Sequence, residues 1–177
     1  MNSNITKQSL FPVLKIGDDV SLFSGYAFKS KDFSEEGYPV IKIKNIQNRL
    51  VRVFNNCCID KNIITEKHKK FLLSRGDILL AMTGQGSVGR VGKLILDKKE
   101  DCFLNQRVGK FIIDKDKLDK DYFYYVISTK KYENILFNIG SGSGQPNLSP
   151  SDIKKISIPF PTLSIQKEIA RILNKLD

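Results

Sequence analysis

Gly84-Gln-Gly86-Ser-Val-Gly89 spells a glycine pattern that cradles nucleotide phosphates when a strand precedes it and a helix N-terminus comes after it. Ile78 to Thr83 supplies the strand. The next run, Arg90-Val-Gly-Lys-Leu-Ile-Leu96, is again β-type, so no helix end faces a pyrophosphate, and Arg90-Val91 stand where a P-loop needs Lys and Ser or Thr. The glycines therefore read as a turn between Met82 and Val91 that uses φ > 0. That turn carries Thr83, Gln85, Ser87 and Arg90, side chains suited to nucleic acid. A Gln carboxamide matches adenine N6 and N7, and an Arg guanidinium forks onto guanine O6 and N7. Other chemistry is sparse. His68 is the only histidine and lies in the charge run Glu66-Lys-His-Lys-Lys70, read as solvated, which leaves no His triad and no His-rich metal site. Asp77 with Asp97-Lys98-Lys99 spells a loose D…DxK pattern that would serve a small Mg²⁺-dependent nuclease, a spacing common by chance. No Asn-Pro-Pro-aromatic methylation motif is present.

The charge distribution favours a polyanion. Lys and Arg number 29 against 19 acids, for a net charge of +10. The stretch from Gly37 to Ile59 holds Lys42, Lys44, Arg49 and Arg52 and no acid. Ile78 to Leu96 carries only Arg90 and Lys93, and Cys102 to Ile113 only Arg107 and Lys110. Such cations also blunt strand edges in ordinary proteins; their repetition points to a basic groove. Lys29, Lys31, Lys42, Lys44, Arg49 and Arg52 are the expected phosphate contacts, and Gln85, Arg90 and Arg49 the expected readers of bases. Asn105-Gln106-Arg107 places two amides and a guanidinium at a strand entry, where they serve local backbone groups or DNA. From Asn134 to Ser151 there is no charge, and Ser141, Ser143, Gln145 and Asn147 read either as a flexible connector or as a cradle for backbone phosphate.

These residues need a scaffold, and 177 residues with 41% hydrophobic content suit one globular domain with a helical appendage. Pro39 to Ile46 alternates, with Ile41 and Ile43 on one face and Lys42 and Lys44 on the other, as a half-buried strand should. Ile78 to Thr83, Val91 to Leu96 and Val108 to Ile113 are further strands. Asp119 to Ile139 predicts one helix beginning at an Asp cap, with Tyr122, Tyr124 and Tyr125 in the core. Ser149 and Pro150 suit the cap and first residue of a short helix over Ser151 to Lys155, and Ile156 to Phe160 is an edge strand between prolines. Ile165, Ile169, Ile172 and Leu176 step by four, three and four, a heptad seam with Leu173 beside it. The fold class expected is α+β, a curved mixed sheet with a few helices and a projecting helix. Cys57, Cys58 and Cys102 form no CxxC pair, which fits a reducing cytosol, and no apolar leader or span is visible.

Leu14-Lys-Ile-Gly-Asp-Asp-Val20 leading to Ser24-Gly25, Gly37-Tyr-Pro-Val-Ile-Lys-Ile-Lys-Asn-Ile46, Gly76-Asp-Ile-Leu-Leu-Ala81, Leu104-Asn-Gln-Arg-Val108, and the Gly-Gln-Pro-Asn-Leu-Ser to Gln166-Lys-Glu-Ile-Ala tail each carry little alone. In their order and spacing they resemble one half of the specificity subunit of Type I restriction-modification systems. The resemblance implies a DNA-binding target recognition domain over 1–161 and the start of a conserved spacer or coiled-coil helix over 162–177. It also implies sequence-specific recognition of double-stranded DNA without catalysis, in the cytoplasm of a bacterium or archaeon. Methyltransferase subunits, and in a full system restriction subunits, would be the partners. S-adenosylmethionine, ATP and Mg²⁺ would be bound by those partners and no cofactor by this chain. The helix stops after about three turns, so the expectation is a half-subunit or a recognition domain, self-associating or docking on a partner helix through Ile165, Ile169, Ile172 and Leu176. Two copies would read a palindromic, bipartite site. A Mg²⁺-dependent nuclease on Asp77 and Asp97 and a stand-alone DNA- or RNA-binding regulator are the alternatives.

Overall fold

Ile78–Ala81 is buried at all four positions, because its residues alternate between two cores. Ile78 and Leu80 face one apolar cluster and Leu79 and Ala81 the other, so a strand covered on both sides reads as an unbroken hydrophobic run. The structure, a computed structural model, describes residues 10–17, 19–54, 57–96, 101–141 and 146–176. Its strands are β1 (Val13–Lys15), β2 (Val20–Ser24), β3 (Phe33–Ser34), β4 (Tyr38–Ile41), β5 (Ile46–Gln47), β6 (Leu50–Val51), β7 (Cys58–Ile59), β8 (Leu72–Leu73), β9 (Ile78–Ala81), β10 (Val91–Leu94), β11 (Cys102–Leu104), β12 (Val108–Ile113) and β13 (Ser157–Pro159). The helices are α1 (Glu66–Lys69), α2 (Lys120–Ile127), α3 (Lys130–Gly140), α4 (Pro150–Ile153) and α5 (Leu163–Leu173).

A six-stranded sheet ordered β2-β12-β9-β10-β6-β5 carries one core against α2 and α3, where Phe111, Phe123, Tyr132 and Leu136 meet. Its other face shares a second core, built on Ile41, Phe103, Leu104 and Val108, with a five-stranded sheet ordered β3-β7-β4-β11-β8. The β10–β6 and β11–β4 pairs are parallel and the other strand pairs antiparallel, so both larger sheets are mixed, as the α+β reading requires. β1 and β13 form a separate ribbon, with β13 in the edge position its prolines demand.

Two segments depart from the sequence reading. The alternating run Pro39 to Ile46 is not one strand: β4 stops at Ile41, and Ile43–Asn45 is a 3₁₀ turn. Asn45 imposes this, its carboxamide oxygen accepting from Lys42 N at 2.9 Å and its Nδ2 donating to Arg52 O at 2.7 Å. The helix expected over Asp119 to Ile139 is two helices, broken at Ser128-Thr129, with the Asp119 cap and the buried tyrosines in place. Ser149 caps α4 and Pro150 opens it, although the helix ends at Ile153.

Candidate nucleic-acid interface

Strand direction places the polar loops. β12 is antiparallel to β2 and β9, β9 to β10, and β10 is parallel to β6, so the ends of β2, β5 and β9 and the starts of β6, β10 and β12 lie at one end of the six-stranded sheet. The connections there are stitched to one another. Tyr26 N donates to Leu104 O at 2.9 Å, Gln106 N to Tyr26 O at 3.0 Å, Met82 N to Arg107 O at 3.0 Å, and Leu148 N to Met82 O at 2.8 Å. Gly25 permits a close approach there, since a Cβ would overlap the carbonyl oxygens of Leu104 and Asn105. Motifs scattered along the sequence thus become one surface.

The glycine-rich loop is a closed turn between antiparallel strands. Ser87 N and Val88 N both donate to Gly84 O at 3.0 Å, and Val88 is buried. Gly89, at φ +88°, lets the chain pass α3, where a Cβ would stand 2.8 Å from Glu133 O. Gln85 is exposed, Ser87 and Arg90 are half-buried, and Arg90 Nη2 donates to Gly86 O at 2.5 Å. Thr83 bridges to Asn147, and its hydroxyl is a buried side-chain oxygen without a partner among the described residues. Asn105 is buried and holds its own turn, its carboxamide oxygen accepting from Arg107 N at 3.2 Å, while Gln106 and Arg107 are exposed. Ser141 is exposed and donates to Phe137 O at 2.6 Å, closing α3, and Asn147 is exposed; Ser143 and Gln145 lie outside the described residues.

The cations divide into three settings. Lys44 and Arg52 are exposed on either side of the Asn45 clasp. Lys42 rests its ammonium 3.7 Å above the Phe33 ring, on the five-stranded sheet, and Lys29 and Lys31 are exposed on the 3₁₀ turn just before Phe33. Arg49 is exposed, with its side chain laid along the helices. Its Nε donates to Ser128 Oγ at 3.1 Å and its guanidinium lies 5.4 and 5.6 Å from the rings of Tyr124 and Tyr125. Arg49 and Arg90 line a shared cleft of about 570 Å³, with Lys130 and Glu133 on its helical wall.

Of the residues weighed for catalysis, Asp77 and His68 are otherwise engaged. Asp77 is buried and pairs with Lys110 Nζ at 2.7 Å, accepts from Ser74 N at 2.9 Å and has Lys120 at 3.9 Å; Asp97 lies outside the described residues. His68 is not in a solvated run but buried, edge-on to Tyr26 and stacked on Phe28, because α1 turns it inward. Its Nδ1 accepts from Thr65 N at 3.0 Å, and burial, reinforced by Lys67, pulls its pKa below the usual value. Among the described residues no group of three or more His, Cys, Asp or Glu is placed to hold a metal ion, and no helix is long and apolar enough to cross a membrane.

The C-terminal seam is split by docking. Ile169 and Leu173 pack on the helical core, whereas Ile165, Ile172 and Leu176 remain 41%, 48% and 78% exposed. The residue that fixes α5 was not singled out by its sequence context. Gln166 is wholly buried, its Oε1 accepting from Asp119 N at 2.8 Å and its Nε2 donating to Pro161 O at 2.9 Å. Farther along, Tyr125 OH donates to Asn174 Oδ1 at 2.8 Å and Asn174 Nδ2 to Asp121 Oδ2 at 3.0 Å, while Lys93 pairs with Asp121 at 2.8 Å. Burial would raise the Asp121 pKa, but the Lys93 and Asn174 hydrogen bonds outweigh it and hold the carboxyl below its usual range.

Comparison with known proteins gives a consistent set of similarities. Residues 9–177 match the family model described as Type I restriction modification DNA specificity domain. The chain is 30% identical over 166 residues to the Type I restriction enzyme MjaVIII specificity subunit of Methanocaldococcus jannaschii, an alignment covering 93% of this chain and 39% of that protein. It is 27% identical over 162 residues to the EcoKI specificity subunit of Escherichia coli, covering 88% of this chain and 34% of that one. Two solved structures share the fold: the S subunit from M. genitalium at TM-score 0.64 and 22% identity, covering 98% of this chain and 40% of that one, and the HsdS subunit from Thermoanaerobacter tengcongensis at TM-score 0.63 and 16% identity, covering 98% and 39%. The chain spans less than half the length of each of these relatives.

Proposed function

Because this chain belongs to the Type I restriction modification DNA specificity domain family, we propose that it recognises a short double-stranded DNA sequence and addresses a separate methyltransferase to it. The observation that carries this reading is the convergence of the polar connections at one end of the six-stranded sheet, where Gln85, Arg90, Gln106 and Arg107 are gathered. Exposed cations supply sequence-independent phosphate contacts, and amides and guanidinium groups on braced turns supply readout of base edges. Lys29, Lys31 and Lys42 would extend the phosphate track around Phe33.

On this reading residues 1–161 recognise and 162–177 begin the helix that joins the rest of the assembly. The exposed Ile165, Ile172 and Leu176 would pack against a helix of a partner subunit or of a second copy. Methyltransferase subunits, and restriction subunits where present, would hold S-adenosylmethionine, ATP and Mg²⁺, all in the cytoplasm of a prokaryote, while this chain supplies the address and no catalytic group. The test is binding of labelled duplexes across a range of NaCl concentrations. Log affinity should fall linearly with log salt, and one sequence should be retained at salt that releases a random pool. Equal release of all sequences, or cleavage of the duplex when Mg²⁺ is added, would overturn the proposal.

A further inference from the structure

The β5–β6 connection has two central residues, Asn48 and Arg49, between the paired Gln47 and Leu50, with φ of +51° and +66°. Positive φ at both positions is the type I′ hairpin turn, whose favoured sequence is Asn-Gly. Asn tolerates this conformation; Arg in place of Gly does not come free, a side chain in the left-handed region being unfavourable by about 1 kcal/mol or more. Something must hold Arg49 there. Three bonds do so: Tyr124 OH and Lys93 N each donate to Arg49 O at 3.0 Å, and Arg49 Nε donates to Ser128 Oγ at 3.1 Å. On the other flank the Asn45 carboxamide ties Lys42 to Arg52. The result is a short, rigid ribbon whose tip is fixed from both sides.

The tip itself is left open. Gln47 and Asn48 are exposed, Gln47 Nε2 donates to Lys44 O at 3.0 Å, and the Asn48 carboxamide has no hydrogen-bond partner among the described residues. No acid lies between Gly37 and Ile59 to repel a polyanion. A two-stranded ribbon fits the major groove, and a free carboxamide there offers one donor and one acceptor, the complement of adenine N6 and N7. The turn stands at the same end of the sheet as the glycine-rich loop and shares the Arg49–Arg90 cleft with it.

Resting on the DNA-recognition reading above, we propose that Asn48 is a specificity-determining residue that reads a base edge in the major groove, and that Arg49 is a positioning residue that braces the tip from behind. Arg49 is then neither a reader of bases nor a phosphate contact. The two roles give different signatures in a selection from randomised duplexes, sequenced after binding to the wild-type chain and to each variant. Asn48→Gly keeps the turn, because glycine accepts φ > 0, and removes the carboxamide; it should relax the preference at one base pair about tenfold and leave the other positions of the motif unchanged. Asn48→Asp, with acceptors only, should shift that position towards cytosine, whose N4 is a donor. Arg49→Gly restores the favoured Asn-Gly turn and Arg49→Lys keeps the charge, yet both lose the Ser128 bond. Both should weaken discrimination at the Asn48 position while the salt slope stays within about half a unit of wild type, whereas a phosphate contact would lose about one unit in Arg49→Gly alone. An Asn48→Gly chain that enriches the wild-type motif at full strength overturns the inference and leaves DNA recognition standing. A wild-type chain that enriches no motif overturns the recognition reading, and the inference with it.

Discussion

Replacing Gln166 by Leu should release α5 from the domain. The substitution keeps the side-chain size and the helix propensity, so the effect falls on the hydrogen bonds. It strands the Asp119 N–H, which Oε1 meets at 2.8 Å, and the Pro161 carbonyl, which Nε2 meets at 2.9 Å, in a site from which Gln166 excludes water completely. An unsatisfied buried polar group costs about 1–3 kcal/mol, so two of them, partly offset by relaxation of the helix, amount to about 3 kcal/mol. For a chain of this size each kcal/mol moves Tm by about 2–4 °C, so a fall of about 6–12 °C is expected by circular dichroism. Amide exchange should accelerate most in α5. Gln166→Glu supplies an independent check. Its carboxylate accepts from Asp119 N but opposes the Pro161 and Lys117 carbonyls, whereas the protonated acid donates as glutamine does. Burial beside carbonyls raises that acid's pKa above its unfolded value, so the folded state binds the extra proton and the variant should gain stability relative to wild type as pH falls towards 5. A Tm within about 2 °C of wild type for Gln166→Leu, or a Gln166→Glu variant that shows no acid rescue, would refute the assignment of this latch.

Lys44→Ala should weaken binding to all duplexes alike and lower the salt slope by about one unit; an unchanged slope in an anisotropy titration removes Lys44 from the interface. Arg90→Ala should relax the preference at one base pair, by about 1–3 kcal/mol, and equal losses for specific and random DNA would make it a phosphate contact only. His68 has a lowered native pKa, so the unfolded chain takes up the extra proton first: stability should be full above about pH 6.5, decline as pH falls below it, and level off once the native value is passed. His68→Asn keeps an acceptor for Thr65 N and should flatten that part of the pH–stability curve measured by urea unfolding.

The buried strands, the Asp119 and Ser149 caps and the tyrosine core were legible because each rests on local pattern: apolar runs, cap residues and periodicity. What was missed is set by partners distant in sequence. Nothing in the alternation from Pro39 to Ile46 reveals that Asn45 reaches forward to Arg52 and turns the chain into a 3₁₀ helix. The break at Ser128 lies within an apolar pattern that continues across it, and the bond to Arg49 that accompanies it spans 79 residues. Arg49 concealed the hairpin for the same reason, since a type I′ turn is recognised by Asn-Gly and here the second residue is arginine. Gln166 stands beside the heptad position Ile165, and nothing in that spacing marks it for the core, yet it is Gln166 that is buried and Ile165 that is exposed. The candidate surface was legible as a set of loops; which side chains within it face outward was not, because the buried Asn105 and the exposed Gln106 differ only in the hydrogen bonds the fold gives them.

The central claim, that this chain directs a methyltransferase to one DNA sequence, is tested most directly by mapping DNA methylation at base resolution in the source organism with and without the gene for this chain. Methylation should vanish from a single motif when the gene is removed, and return with an altered base preference when Asn48→Gly or Arg90→Ala is supplied in its place. An identical methylation map in both strains would contradict the account.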